Sequence, residues 1–267
     1  MKKPLLRLAL LALCIGLHAH HAQAGTACRE QDYDASKFMH VMEYSLQVRQ
    51  ALDDSGARVA IMARVGQDLS KYHLYYSHVG IVRKMPDGKW LVLHELNECG
   101  TAESSLYNEG IGNFFLDDIF RFDSLLIIPS DALQTALLQR IDNGQAKKIH
   151  EQKYNMLSYA YSTRYQNSNQ WVLETLAAAS DNNVQTREDA QHWLKLHRYQ
   201  PETLDIPAVT RLGARMFKAN ISFDDHPFDR RMSGKIDTVS VESITRFMQQ
   251  TDPQHQELRI ADKTQGH

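Results

Sequence analysis

The stretch from Ser77 to Glu95 reads SHVGIVRKMPDGKWLVLHE, two apolar runs separated by Pro86-Asp87-Gly88. Runs of this kind bounded by turn residues predict two strands joined as a hairpin. Side chains alternate across a strand, so the loop length decides whether His78 and His94 share a face. A three-residue loop of Pro86, Asp87 and Gly88 pairs Met85 with Lys89 and sets His94 opposite Gly80. His78 is then one diagonal step away, within about 7–8 Å. A two-residue or four-residue loop separates the histidines, and the sequence alone leaves that choice open.

Ahead of the hairpin, Val59 to Val65 is a further short β-branched run. Before it, Phe38 to Leu52 places Phe38, Met42, Leu46 and Val48 at helical spacing and ends near Asp53-Asp54-Ser55-Gly56. Beyond the hairpin, Leu125 to Ile128 predicts a strand stopped by Pro129. Ser130 then caps a helix with Leu133, Leu137, Leu138 and Ile141 on its apolar face, ended by Gly144. Tyr154 to Tyr161 predicts a helix, and so does Ser168 to Ala179, which puts Trp171, Val172, Thr175, Leu176 and Ala179 on one side. The last third predicts helices at Arg187 to Leu196 and Ala208 to Lys218. A loop Phe223-Asp224-Asp225-His226-Pro227, a strand at Ile236 to Val241 and a closing helix to Gln250 complete it. Internal repeats and low-complexity linkers are absent from the sequence, which predicts an α+β class: a small antiparallel sheet packed on helices, with additional C-terminal helices.

The N-terminus has its own logic. Lys2, Lys3 and Arg7 precede an apolar run from Leu8 to Leu17, and small residues lead to Ala22-Gln23-Ala24 before Gly25, the layout of a secretory signal cleaved after Ala24. The expected organisation is residues 1–24 as signal and 25–267 as one domain, with an extension from 181 to 267. The expected location is periplasmic or secreted. Lipidation at Cys14 is disfavoured because Leu13 stands where a small residue is wanted. No stretch supplies the run of about 20 apolar residues that a spanning helix needs. Without the signal, the 30 Lys and Arg of the chain fall to 27 against 32 acidic residues, a net of −5 that gives no reason to expect nucleic acid or anionic lipid as a partner. Cys28 and Cys99 are expected to pair in an oxidising compartment, a closure worth about 4 kcal/mol in the chain-entropy view; two separate thiols are the alternative.

Three segments carry possible chemistry: Ser77-His78-Val79-Gly80-Ile81-Val82, His94 on the next strand, and Asn167-Ser168-Asn169-Gln170-Trp171-Val172 opening a helix. In order and spacing they resemble the circularly permuted papain-like hydrolases and acyltransferases, relatives of the NlpC-type cell-wall peptidases and of lecithin:retinol acyltransferase. That likeness covers Val59 to Ala179. Over its whole length the chain resembles the secreted bacterial family known as domain of unknown function 2145, for which no activity is established. The hydrolase resemblance implies a papain-like core in which His78 is the general base, His94 orients it and Ser168 stands at the nucleophile position. Tyr76, Asn167 and Trp171 would line the substrate cleft.

The nucleophile position departs from the pattern, since the resemblance implies a cysteine there. A thiol beside a histidine at a helix N-terminus becomes a standing thiolate; a serine hydroxyl must lose its proton during attack, to a histidine within hydrogen-bond reach. Backbone N–H groups at the helix start could form an oxyanion hole for either nucleophile. Plainer readings stand beside these. Asn167 or Ser168 is also what a helix cap looks like. His78 could be a hydrogen-bonded core residue, and His94 could pair with a carboxylate. Glu95 and Glu98 read as solvated, with Glu95 the second choice for the orienting role. Asp224-Asp225-His226 has metal-ligand residue types without a second cluster at ligand spacing, so a turn capped by aspartates is expected and no metal or cofactor.

Two functions follow from the scaffold: a serine-dependent amide or ester hydrolase or acyltransferase, or a protein that holds a cell-wall peptide, glycan or acyl chain without turning it over. The loss of the cysteine favours the second. A structural partner in an envelope assembly, with no catalytic constellation at all, is the third.

Overall fold

The Met85 N–H donates to the Lys89 carbonyl at 2.7 Å and the Gly88 N–H to Met85 at 2.9 Å, closing a three-residue loop with Gly88 at φ 84°. Only a residue without a Cβ takes that left-handed conformation at no cost, so Gly88 fixes the hairpin register. Ile81 consequently pairs with Leu93 and Lys84 with Trp90, continuing the register in which Gly80 faces His94. A computed structural model describes residues 34–116, 119–218 and 220–262, with the backbone alone at 215–217. The expected signal at 1–24 and Cys28 lie outside the described residues.

The hairpin is β2 (His78–Lys84) and β3 (Trp90–Asn97). It belongs to a six-stranded antiparallel sheet that also holds β1 (Val59–Val65), β4 (Ser104–Gly110), β5 (Arg121–Ile128) and β8 (Gln256–Ala261), in the order β4-β3-β2-β1-β5-β8. β1 is buried along its whole length, as expected for a central strand with both faces covered.

Alternation along these strands sorts the core into two layers. Ala60, Met62, Val82, Val92 and Leu126 face α1 (Ala35–Asp54) and α2 (Ile111–Leu116), meeting Val41, Tyr44, Val48, Leu52, Phe114 and Phe115. Ile61, Ala63, Val79, Ile81, Leu93 and Ile127 face the other way. They pack on α3 (Asp131–Asp142), α4 (Gln145–Lys148), α5 (Ser168–Ser180), α6 (Arg187–Leu196) and α9 (Val241–Thr251). The remaining elements, β6 (Glu202–Asp205), α7 (Ala208–Phe217), α8 (Phe228–Met232) and β7 (Lys235–Thr238), surround a small separate core of Leu204, Ile206, Phe223 and Ile236.

The α+β class and antiparallel sheet agree with the sequence reading, but Tyr154 to Tyr161 is not a helix. Asn155 turns the chain there, its side chain accepting from the Leu157 N–H at 3.2 Å and its carbonyl from Ser158 at 2.9 Å. Met156 and Tyr159 donate their N–H groups to Asn220 and Asp225, so distant partners replace the helical ladder. The strand expected at Ile236 to Val241 is shorter, because Ser240 already caps α9.

Candidate functional site

On the α1 face, at the end of the sheet where β2 begins, three side chains form a chain. His78 Nε2 lies 2.9 Å from His94 Nδ1, and His94 Nε2 lies 2.8 Å from Glu109 Oε1. His94 is fully buried and His78 nearly so. The hydrogen bond from His94 holds the Glu109 carboxyl below its usual range, so this carboxylate is ionised at neutral pH and can only accept. His94 therefore donates to Glu109 from Nε2, and between His94 Nδ1 and His78 Nε2 one nitrogen donates and the other accepts. Burial, the Arg64 charge and His94 push the His78 imidazole well below its ordinary value. It is therefore neutral at neutral pH and a weaker base than an ordinary imidazole.

Access is another matter. The Phe114 ring lies over both histidines, with centroids 5.6 Å from His78 and 5.2 Å from His94, and the Arg64 guanidinium sits 4.8 Å from the same ring while donating to the Phe114 carbonyl. Gly80 makes the packing possible, since a Cβ there would approach Val92 Cγ1 to 2.8 Å and His94 Cβ to 3.0 Å.

Ser168 lies on the opposite face. It opens α5, which packs on Val79, Ile81 and Leu93, the alternate residues of the two histidine strands. It is buried, and its hydroxyl is set against the Tyr154 phenol. The sheet thus stands between the serine and the two histidines, and no hydrogen bond among the described residues joins them. Asn167 is the helix cap, accepting from Gln170 N–H at 2.8 Å, and its Nδ2 reaches Thr238 Oγ1 at 3.1 Å and the Met156 carbonyl at 3.3 Å. Trp171 is buried with Nε1 donating to the Ala146 carbonyl at 3.0 Å. The Tyr76 N–H donates to Glu242.

The residue that does share a face with Ser168 is Glu95. Both its carboxylate oxygens are buried without a hydrogen-bond partner, for the neighbouring Ser104 hydroxyl pairs with His150 Nε2 at 3.0 Å. Burial pushes the Glu95 carboxyl up to about 8, with Ser104 and Arg187 lowering it only in part. At neutral pH it is protonated and offers no base. Beside it is the contrary case. Glu174, also fully buried, accepts from Arg187 Nε at 2.7 Å, Gln166 at 2.6 Å, Gln170 at 3.0 Å and Gln191 at 2.8 Å. Arg187 in turn donates to the carbonyls of Thr163 and Tyr165, so this cluster fixes the loop leading into the start of α5.

Asp225 closes its loop as a turn acceptor, taking the Tyr159 N–H at 2.8 Å and lying 3.0 Å from His226 Nδ1. Among the described residues no group of three His, Cys, Asp or Glu has metal-binding geometry, and no helix is long and apolar enough to cross a membrane.

Sequence reasoning did not find Arg64, Glu109, Tyr154, Glu174 or Arg187. For Glu174 a signal existed: a lone carboxylate inside Trp171-Val172-Leu173-Glu174-Thr175-Leu176 requires a buried cation, and Arg187 opens the next helix.

Fold and site together define an α+β protein in which a histidine chain and a helix-start serine occupy opposite faces of one antiparallel sheet. Residues 51–248 match the family described as "Uncharacterized protein conserved in bacteria (DUF2145)", and the chain belongs to that family. No curated protein and no solved structure matches it.

Proposed function

We propose that this is an exported binding protein that holds a peptide ligand without hydrolysing it. The observation that carries the reading is the separation of Ser168 from His78 and His94 by the sheet, because a serine nucleophile needs its base within hydrogen-bond reach. In this reading the likeness to papain-like hydrolases marks a shared scaffold without shared chemistry. The resemblance to a secreted family and the residue pattern before Gly25 support export, and with it a Cys28–Cys99 disulfide.

The proposed ligand seat is an open groove of about 460 Å³ beside α6, lined by Tyr159, Tyr161, Glu188, His192, Lys195 and Asp225. Lys195 Nζ rests 4.9 Å from the Tyr161 ring. Aromatic faces together with both signs of charge suit a peptide carrying its own amines and carboxylates, such as a cell-wall stem peptide, better than an acyl chain.

The test is titration of the purified protein with muropeptides, followed by calorimetry and by product analysis. Saturable binding that Tyr161→Ala weakens, with no product from the native protein or from Ser168→Cys, is the expected result. Hydrolysis by the native protein that Ser168→Ala and His78→Ala both abolish would restore the enzyme reading.

A further inference from the structure

The net charge of the chain conceals a local asymmetry. β6 and β7 pair so that Asp205 faces Lys235, and the Ile206 N–H donates to the Gly234 carbonyl at 2.9 Å. α7 departs from that end of the ribbon and α8 arrives at it, so both helices adjoin the same end. A Cβ on Gly234 would lie 3.4 Å from Arg211 Nη1. Four large apolar side chains face solvent on this pair: Val209 is 84% exposed, Leu212 63%, Phe228 69% and Met232 64%. None of them belongs to the small core beneath, which is built from Leu204, Ile206, Phe223 and Ile236.

Cations surround these residues. The run from 208 to 218 contains no aspartate or glutamate, and the one carboxylate of α8, Asp229, is outnumbered by Arg230 and Arg231 beside it. Arg230 and Lys235 are ion-paired to Asp237 and Asp205. Arg211, by contrast, donates to the neutral Ile206 carbonyl at 2.6 Å, and Arg231 lies 5.8 Å from the Phe228 ring, so both keep a net positive charge at the edge of the apolar face. Exposed Lys218 adds a third.

We infer that the α7–α8 face docks on an anionic lipid surface. Amphipathic helices with apolar residues flanked by arginine and lysine settle at the level of the headgroups, with the apolar side chains in the acyl boundary and the cations on the phosphates. The two described grooves are lined by residues of neither helix. A two-fold contact with a second copy would set this cation-bearing patch against an identical one, a like-charge arrangement. This docking is independent of the peptide groove.

The exported form, from Gly25 onward, is sedimented with vesicles of phosphatidylcholine alone and of phosphatidylcholine with about 30% phosphatidylglycerol. The expected result is binding to the anionic vesicles only, lost at high salt. Leu212→Ser/Phe228→Ser should weaken it at least about tenfold with an unchanged thermal midpoint, because these two side chains are exposed, and Arg211→Gln/Arg231→Gln several-fold. Equal binding to both vesicle types, no binding to either, or variants that bind like the native protein would overturn the inference. So would a native dimer that Leu212→Ser/Phe228→Ser converts to monomer, since the face would then be a contact between copies.

Discussion

The two faces of the sheet hold the same kinds of residue under opposite conditions. On the α1 face, Glu109 is partly exposed and satisfied by His94, and the pair continues to His78 as a line of hydrogen bonds roofed by Phe114. On the α5 face, two carboxyls are fully buried: Glu174 is surrounded by donors, while Glu95 has none. In the proposed reading, a serine, two histidines and a helix start do not by themselves make a nucleophilic site. A nucleophile and its base must be on one side of the sheet, and strand alternation decides that.

The strongest way to probe the comparison is Glu174→Ala, which leaves Arg187 as an uncompensated buried charge. It should cost about 3–5 kcal/mol in urea unfolding, whereas the paired change Glu174→Leu/Arg187→Met should recover most of that. A small loss from the single variant would show that water reaches the cluster.

Glu95 should act through pH. Its folded-state carboxyl, at about 8, lies above the ordinary 4.5, so between these values the native protein holds a proton that the unfolded chain has released. Stability should therefore fall as pH rises from 4.5 through 8 and level off beyond, by a few kcal/mol in all. Glu95→Gln should flatten that profile, read as urea midpoints across the range. A slope that survives the substitution assigns the titration elsewhere.

On the other face, Gly80→Ala drives a methyl against Val92 and His94 and should cost about 1–3 kcal/mol, with a shift in the His78 and His94 ring resonances. The smallest change is Asn167→Ala, which removes the cap of α5 and should lower stability by about 1 kcal/mol in the same unfolding assay.

The hairpin was legible because Pro86-Asp87-Gly88 constrains the backbone locally, while its register stayed open until the loop length was seen, and α5 and α6 were legible because cap and apolar face agree. The orientation of the histidine strands was not. Val79, Ile81 and Leu93 are as apolar as Val82, Val92 and Trp90, so the sequence pattern assigns neither set to a particular helix layer. β4 escaped notice because Ser104-Ser105-Leu106-Tyr107-Asn108-Glu109 is polar, and with it Glu109, the partner His94 required. Tyr154 to Tyr161 misled for the opposite reason, since its apolar spacing serves tertiary contacts and not a helix face.

Almost all of α1 and the whole of β8 lie outside residues 51–248, the part shared with the family, and they clasp one another. Tyr44 donates to the Ile260 carbonyl at 2.7 Å, and His40 meets Asp262 at 2.6 Å. A fragment cut to the shared segment would bare the edge of β5 and the apolar underside of the sheet together, an unpaired strand beside an uncovered core. Expressed alone, such a fragment would invite strand-to-strand aggregation, so the flanks act as the cover over an edge and a core that the shared segment alone would expose.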